Sequence, residues 1–494
     1  MARSQRSRRA RCPEDAVISW CTSRTIAAVL GAVLLSGCAS FTPDGGMSVV
    51  QDKTRTAIGK DVVKITNAAD ARAARERIDA LLAAPLDIEG AVQIALLNNR
   101  GLQAAYNDLG ISEADYVAAS LPPNPIVSLA RTAGKGTVEI EASIVLNILA
   151  LFTLPARTAI AAQEFNQAQY RAVETSFRLA AETRRAYIRA VASQELASFL
   201  TQARASADAA ADLMRKLGET GSANKLDQAR AGAFNAEVGV QLAQARLRAR
   251  SDREALIRLL GLWGNDLAFK LPATLPPLPR TISAVTDVEA DAISRRVDVL
   301  MARRELDATA KAAGLTEATR YISLLELGGL GTFERSRTPE GTERGRRLGP
   351  GVDIEIPIFD GGETSMRRAR ETYMRALNRL AEKAVNVRSE ARTAYQTYRG
   401  SYDIARQYQQ SVLPLRKIVS DEALLRYNGM LIDVFELLTT ARERITSTMA
   451  AIEARRDFLL TEVDFQTAII GGGTGGGEGR GGTAAPSAEP AAAH

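Results

Sequence analysis

The sequence predicts a mainly helical chain with a small β component, duplicated in tandem, and three observations predict it. From Tyr373 to Val412 apolar residues advance in steps of three and four, through Leu377, Leu380, Ala384, Val387 and Ala391. That spacing averages about 3.5 residues per step, the seam of a left-handed coiled coil. Just upstream, Val352-Asp353-Ile354-Glu355-Ile356-Pro357-Ile358 alternates apolar and polar residues, the period of a strand with two unlike faces. An earlier copy exists. Val138-Glu139-Ile140-Glu141-Ala142-Ser143-Ile144 repeats the alternation, while Ala186-Tyr187 and Gly221 match Ala394-Tyr395 and Gly429 at an offset of 208. Asn99-Arg100-Gly101-Leu102 corresponds to Arg296-Val297-Asp298-Val299 at an offset of 197, so each half reads helix, strand, strand, long helix, return helix.

In chain order, residues 1–37 are expected to be a targeting segment. Six arginines precede an apolar run from Ile26 to Leu35, too short for a mature membrane helix and suited to a signal-peptide core. The run ends in Leu35-Ser36-Gly37-Cys38, which resembles the lipobox of bacterial lipoproteins and marks Cys38 for lipidation, with Ala39 after it favouring outer-membrane sorting. Residues 38–86 form an extended polar lead-in with a helical stretch from Ala68 to Ala84. The first repeat, 87–263, opens with a helix from Ile88 to Leu121 that Pro122-Pro123-Asn124-Pro125 ends. Strands over 126–131 and 137–148 form a hairpin around Ala133-Gly134-Lys135-Gly136, then a helix runs from Arg157 to Leu217, turns at Gly218 to Gly221, and returns from Asn224 to Leu260.

Residues 264–285, with Pro272, Pro276, Pro277 and Pro279, read as a linker. The second repeat, 286–470, is expected to hold a helix over 287–314 and a strand near Arg320 to Leu327. A charged loop from Gly331 to Arg347 leads to the alternating strand at 352–358. Asp360-Gly361-Gly362 stops that strand, and a helix follows to Arg426, kinked at Pro414. Tyr427-Asn428-Gly429 turns the chain into a last helix from Ile432 to about Ile469, and 471–494 is a Gly- and Ala-rich disordered tail.

All three cysteines lie at or before Cys38, so no disulfide is expected in the mature chain. The net charge is +6, of which the leader carries about +4, and a nearly neutral body argues against nucleic acid as a partner. Catalysis has no support: the one histidine is His494, and the glycine-rich stretches lack the Lys-Ser/Thr of a phosphate-binding loop. No metal site or cofactor is expected.

Two strands from each half give four, and four cannot close a membrane barrel, because an open edge in lipid leaves backbone groups unpaired. Closure requires other protomers. Val138, Ile140, Ala142, Ile144 and Leu146 would then face lipid, leaving Glu139, Glu141, Asp353 and Glu355 to line a wet pore that prefers cations. A soluble sheet with a solvated acidic face is the alternative.

Here the chain resembles the TolC-like outer-membrane factors of efflux and type I secretion systems, over roughly Asp87 to Ile470. The residues that carry the resemblance are Leu102-Gln103-Ala104-Ala105, Leu121-Pro122-Pro123-Asn124-Pro125, Arg296-x-Asp298, Ile356-Pro357-Ile358-Phe359-Asp360-Gly361-Gly362 and Val412-Leu413-Pro414. The resemblance implies a homotrimer with a twelve-stranded transmembrane β-barrel in outer-membrane lipid, a helical tunnel, and a belt of terminal and linker segments. It also implies a periplasmic adaptor, docking near the tips at Gly218, Gly221, Tyr427 and Gly429, and an inner-membrane pump. Asp227, Asp433 and Glu436 fit the family's acidic gate, although the second turn is short and Glu436 stands where Asp is commoner; helix-start acids that suit the dipole are the other reading. Thr319-Arg320 lacks the prolines found at the matching junction of the first repeat. The expected function is a passive efflux duct. A type I protein-secretion channel, or a periplasmic coiled-coil lipoprotein scaffold, are the alternatives.

Overall fold

The computed structural model describes residues 40–134, 137–282, 286–338 and 341–472. Cys38 and its leader, Lys135 and Gly136 of the predicted hairpin loop, and the tail beyond Gly472 lie outside the described residues.

The elements run α1 (Met47–Ile58), α2 (Ala68–Leu82), α3 (Ile88–Asn98), α4 (Arg100–Ser120), β1 (Ile126–Gly134), β2 (Thr137–Asn147), α5 (Ile148–Phe152), α6 (Leu154–Glu219) and α7 (Lys225–Leu260). The second half repeats the pattern from α3 onward, without a counterpart of α5 and with its long helix in two parts, as α8 (Val288–Arg295), α9 (Val297–Ala318), β3 (Leu324–Thr338), β4 (Gly341–Glu355), α10 (Glu363–Gln407), α11 (Leu413–Asn428) and α12 (Val434–Ile470). The chain divides into two compact units. Among the described residues, 40–45, 111–165 and 307–374 make up the first, and 46–110, 166–306 and 375–472 the second.

The first unit holds one antiparallel sheet in the order β1-β2-β3-β4. Two expectations fail here. The charged segment 331–347 is not a loop: its described residues, 331–338 and 341–347, form the facing halves of β3 and β4, which pair from Leu324↔Glu355 to Thr338↔Gly341. Their wet face satisfies its charges with solvent and their glycines leave little hydropathy contrast, so the strands escape a hydrophobic pattern. Conversely, β4 stops at Glu355, and Ile356 to Gly362 form the strand-to-helix junction. There the Asp360 carboxylate accepts from the Gly362 and Thr364 N–H groups at 2.9 and 3.3 Å and caps α10. Gly362 has φ 74°, and a Cβ on it would run into the Arg320 carbonyl oxygen, so only glycine fits. In the first repeat, Asn147 does the capping, accepting from Ala150 N–H at 2.7 Å.

In the second unit, the helices predicted as continuous over 88–121 and 287–314 are each broken. Asn99 and Arg296 adopt extended backbone with ψ 118° and 124°, at the offset of 197 that the sequence shows. Apolar periodicity continues across both breaks, which is why it conceals them. The seam of α10 is buried from Val387 onward, where Val387, Ala391, Tyr398, Tyr402 and Ala405 pack with Phe458 and Phe465 of α12, whereas its predicted first part is not, Leu377 being exposed. The disturbance expected at Pro414 sits just before it, as a π-turn over Tyr408–Val412 in which Leu413 N–H bonds to the Tyr408 carbonyl. A proline lacks the N–H its helix would use, and a π-turn absorbs the mismatch. The lead-in is more helical than predicted, with α1 as an extra helix. The proline-rich segment does not hang free: Phe269 and Leu275 are buried, and Tyr402 Oη donates to the Pro279 and Arg280 carbonyls.

Candidate functional site

Residues paired across an antiparallel sheet point to the same face, so the register sorts every strand side chain. One face carries Leu129, Ile140, Ala142, Leu327, Leu348 and Val352, and it is bare: Leu129 is 74% and Leu348 63% exposed. The other carries Glu139 and Glu141 of β2, Glu326 and Glu334 of β3, and Glu343, Asp353 and Glu355 of β4, among serines, threonines and glycines and with the apolar Ile126, Val145, Leu324 and Leu330 between them. Every acid on the described strands lies on that face.

The acids predicted at Glu139, Glu141, Asp353 and Glu355 therefore share one face. Glu326, Glu334 and Glu343 were missed, the latter two because they fall in the segment read as a loop. Their partners sharpen the chemistry. Glu139 pairs with Glu334 and Glu326 with Asp353, so like charges face each other directly. Such pairs destabilise a sheet. They are tolerable where water or mobile cations screen them. The outer edges of β1 and β4 have no strand partner among the described residues.

The tips of the two helical hairpins lie in the second unit. Both close with the same bond, Ser222 N–H to the Leu217 carbonyl at 2.8 Å and Leu431 N–H to the Arg426 carbonyl at 2.8 Å. Gly221 at φ 76° and Met430 at φ 59° hold the left-handed position. The tips thus superpose at an offset of 209, and Gly221 corresponds to Met430, not to Gly429 as the sequence alignment predicts. The register of the three acids follows. Asn224 and Asp433 are the caps, accepting from Asp227 N–H and Glu436 N–H, each at 2.8 Å. Asp227 and Glu436 are equivalent first-turn acids, whereas Asp433 matches Asn224. Asp227 also accepts from Asn224 Nδ2 at 2.8 Å and lies 3.4 Å from Arg230, while Asp433 and Glu436 are exposed. Capping and the helix dipole account for these acids' positions.

The Arg296-x-Asp298 motif is buried at the second helix break. Arg296 binds Asp298 through both carboxylate oxygens, at 3.0 and 2.9 Å, and donates to Glu390 at 2.6 Å. Burial alone would lower the pKa of this guanidinium, but the hydrogen bonds and charges of Asp298 and Glu390 outweigh it and leave it raised. The arrangement is a structural clamp.

No helix among the described residues is long and apolar enough to cross a membrane. No protein-family model matches the chain. A curated relative, the cobalt-zinc-cadmium resistance protein CzcC of Cupriavidus metallidurans, is 24% identical over 371 residues, 73% of this chain and 84% of its own length. Among solved structures, CusC, described as forming a transmembrane channel, matches with a TM-score of 0.64 at 16% identity, covering 77% of this chain and 91% of that one. The outer-membrane channel OprN matches with a TM-score of 0.62 at 18% identity, covering 88% and 97%. The fold is that of these outer-membrane channels, as the resemblance to TolC-like factors implied.

Proposed function

We propose that this chain is the outer-membrane channel of a tripartite efflux assembly, a passive duct for divalent metal cations. The observation that carries this reading is the sheet: apolar and exposed on one face, acidic on the other, with both edges open. A bilayer accepts the first face, a water-filled bore accepts the second, and neither tolerates the edges. Three copies joined edge to edge supply twelve strands, within the range of closed membrane barrels. Cys38 anchors each copy through acyl chains, and two or more chains hold firmly.

In this mechanism an inner-membrane pump supplies the work. Its periplasmic adaptor docks at the tips around Gly218, Gly221, Tyr427 and Gly429 and opens a gate to which Asp227, Asp433 and Glu436 contribute negative charge. Cations then pass through a bore lined by Glu139, Glu141, Asp353 and Glu355 together with Glu326, Glu334 and Glu343. Carboxylates in a narrow bore lower the barrier to cations and raise it to anions. The relative named for cobalt, zinc and cadmium resistance agrees with that cargo.

The test is a reversal potential across a planar bilayer holding the purified protein under a salt gradient. Cation preference is expected, weakened in E139Q/E141Q/D353N/E355Q. Anion preference, or a stable monomer that inserts no channel, overturns the reading.

A further inference from the structure

The charges of the sheet are sorted by face, and so are its bases. Of six arginines on the described strands, only Arg347 lies with the acids. Arg131, Arg335, Arg337, Arg344 and Arg346 lie on the apolar face, in three consecutive rows at the hairpin ends: Arg131-Ile140-Phe333-Arg346, then Val138-Arg335-Arg344, then Arg337-Thr342. All five are exposed, and none forms an ion pair among the described residues. The neighbouring acids Glu139, Glu334 and Glu343 are on the opposite side of the sheet and give them no partner. Arg346 stacks over the Phe333 ring at 5.4 Å, at the end of the apolar rows.

The placement of this belt is informative. Along β3 the apolar face runs from Leu325 to Phe333, eight residue steps, or about 27 Å along the strand at 3.4 Å per step. At a strand tilt near 40° that is about 20 Å of height, comparable to the apolar band of a membrane barrel. The arginines begin where the band ends. A guanidinium at that level meets lipid headgroups, and its planar fork suits phosphate oxygens in two-point contact.

We propose that Arg131, Arg335, Arg337, Arg344 and Arg346 form a belt that binds the phosphates of anionic lipid headgroups at the outer rim of the sheet. The proposal rests on the outer-membrane reading and adds a lipid preference to it. The belt fixes the depth of the barrel and selects its boundary lipid.

The full-length protein in phosphatidylcholine vesicles, with spin-labelled phosphatidic acid or spin-labelled phosphatidylcholine as probe, gives the test by electron paramagnetic resonance. The motionally restricted component should favour phosphatidic acid about fivefold, the scale of one basic group at an anionic surface. The preference should shrink in 1 M salt. It should approach parity in R335Q/R344Q/R346Q and persist in R335K/R344K/R346K and in E139Q/E334Q/E343Q. Restricted lipid without headgroup preference, or a preference unchanged in the glutamine variant, overturns the belt alone. Absence of restricted lipid overturns the belt and the membrane reading together. Should the glutamine variant not fold, the wild type decides: a preference that survives 1 M salt unaltered sinks the proposal.

Discussion

The two repeats share a backbone and differ in what holds it. At the first helix break Asn99 uses a neutral amide, donating to the Leu259 carbonyl at 3.0 Å and accepting from Leu102 N–H at 3.1 Å. At the equivalent break the second repeat buries Arg296 between Asp298 and Glu390. At the first tip the left-handed residue is Gly221; at the second it is Met430, 93% exposed. On the return helices, Arg253 of α7 donates to backbone carbonyls, whereas Glu462, at the matching place in α12, is half-buried with its pKa raised by burial and only partly offset by the charge of Arg184. At the break and the tip the first repeat is neutral and relaxed where the second carries charge or strain, while on the return helices each copy half-buries one charge, a cation at Arg253 and a carboxylate at Glu462. Duplication has kept the geometry while the energetic cost at the break and the tip has gathered in one copy.

The largest effect is expected at the helix breaks. Arg296→Met leaves Asp298 buried without its partner and should cost about 3–5 kcal/mol, the scale for breaking a buried pair. Asn99→Ala should cost about 1–2 kcal/mol, the penalty for unsatisfied neutral groups. Thermal midpoints in detergent measure both, and equal losses would erase the distinction between the repeats. Next come the strand-to-helix junctions. Gly362→Ala forces a Cβ against the Arg320 carbonyl at positive φ and should cost about 1–3 kcal/mol. Asn147→Ala removes a cap worth about 1 kcal/mol.

The tips should respond with opposite signs. Gly221→Ala destabilises by about 1 kcal/mol and Met430→Gly stabilises by a similar amount, because a left-handed backbone costs an L-residue roughly that much. Differential scanning calorimetry resolves the sign. If Met430→Gly also impairs export in cells while leaving single-channel conductance intact, the strain serves docking at the tip.

The smallest effect is at Glu462. Its folded-state pKa lies above the ordinary carboxylate value, so the folded state binds the proton more tightly and stability falls as pH rises between those two values. Glu462→Gln should raise the midpoint slightly at pH 7 and leave it unchanged below the ordinary carboxylate pKa. A gain that persists at pH 3 would assign the effect to packing.

Much of this was legible in sequence, and the failures have physical causes. The α10 seam could be read because Val387, Ala391, Tyr398 and Tyr402 face one dry interface, and dryness writes a period. The hairpin β3–β4 could not, since its acidic face is polar and glycine-rich and its apolar face ends in arginines. A signal was present in charge instead of hydropathy: Glu334-Arg335-Ser336-Arg337 already alternates by sign and face. The acids of β2 and β4 were found by alternation with apolar neighbours, and Glu334 and Glu343 lacked such neighbours. The breaks at Asn99 and Arg296 were invisible to periodicity, yet the internal match at an offset of 197 had marked both positions. Met430 was hidden because a methionine gives no hint of a left-handed backbone.

The unpartnered margins of β1 and β4 carry a genetic consequence. If three copies close one ring, as proposed, a chain whose margin is spoiled does not fail by itself; it is built into rings alongside sound copies. With equal amounts of sound and defective chain in such a trimer, only about one ring in eight is free of the defect. Lesions along these margins should therefore behave as dominant, while lesions that prevent a chain from folding at all should be recessive.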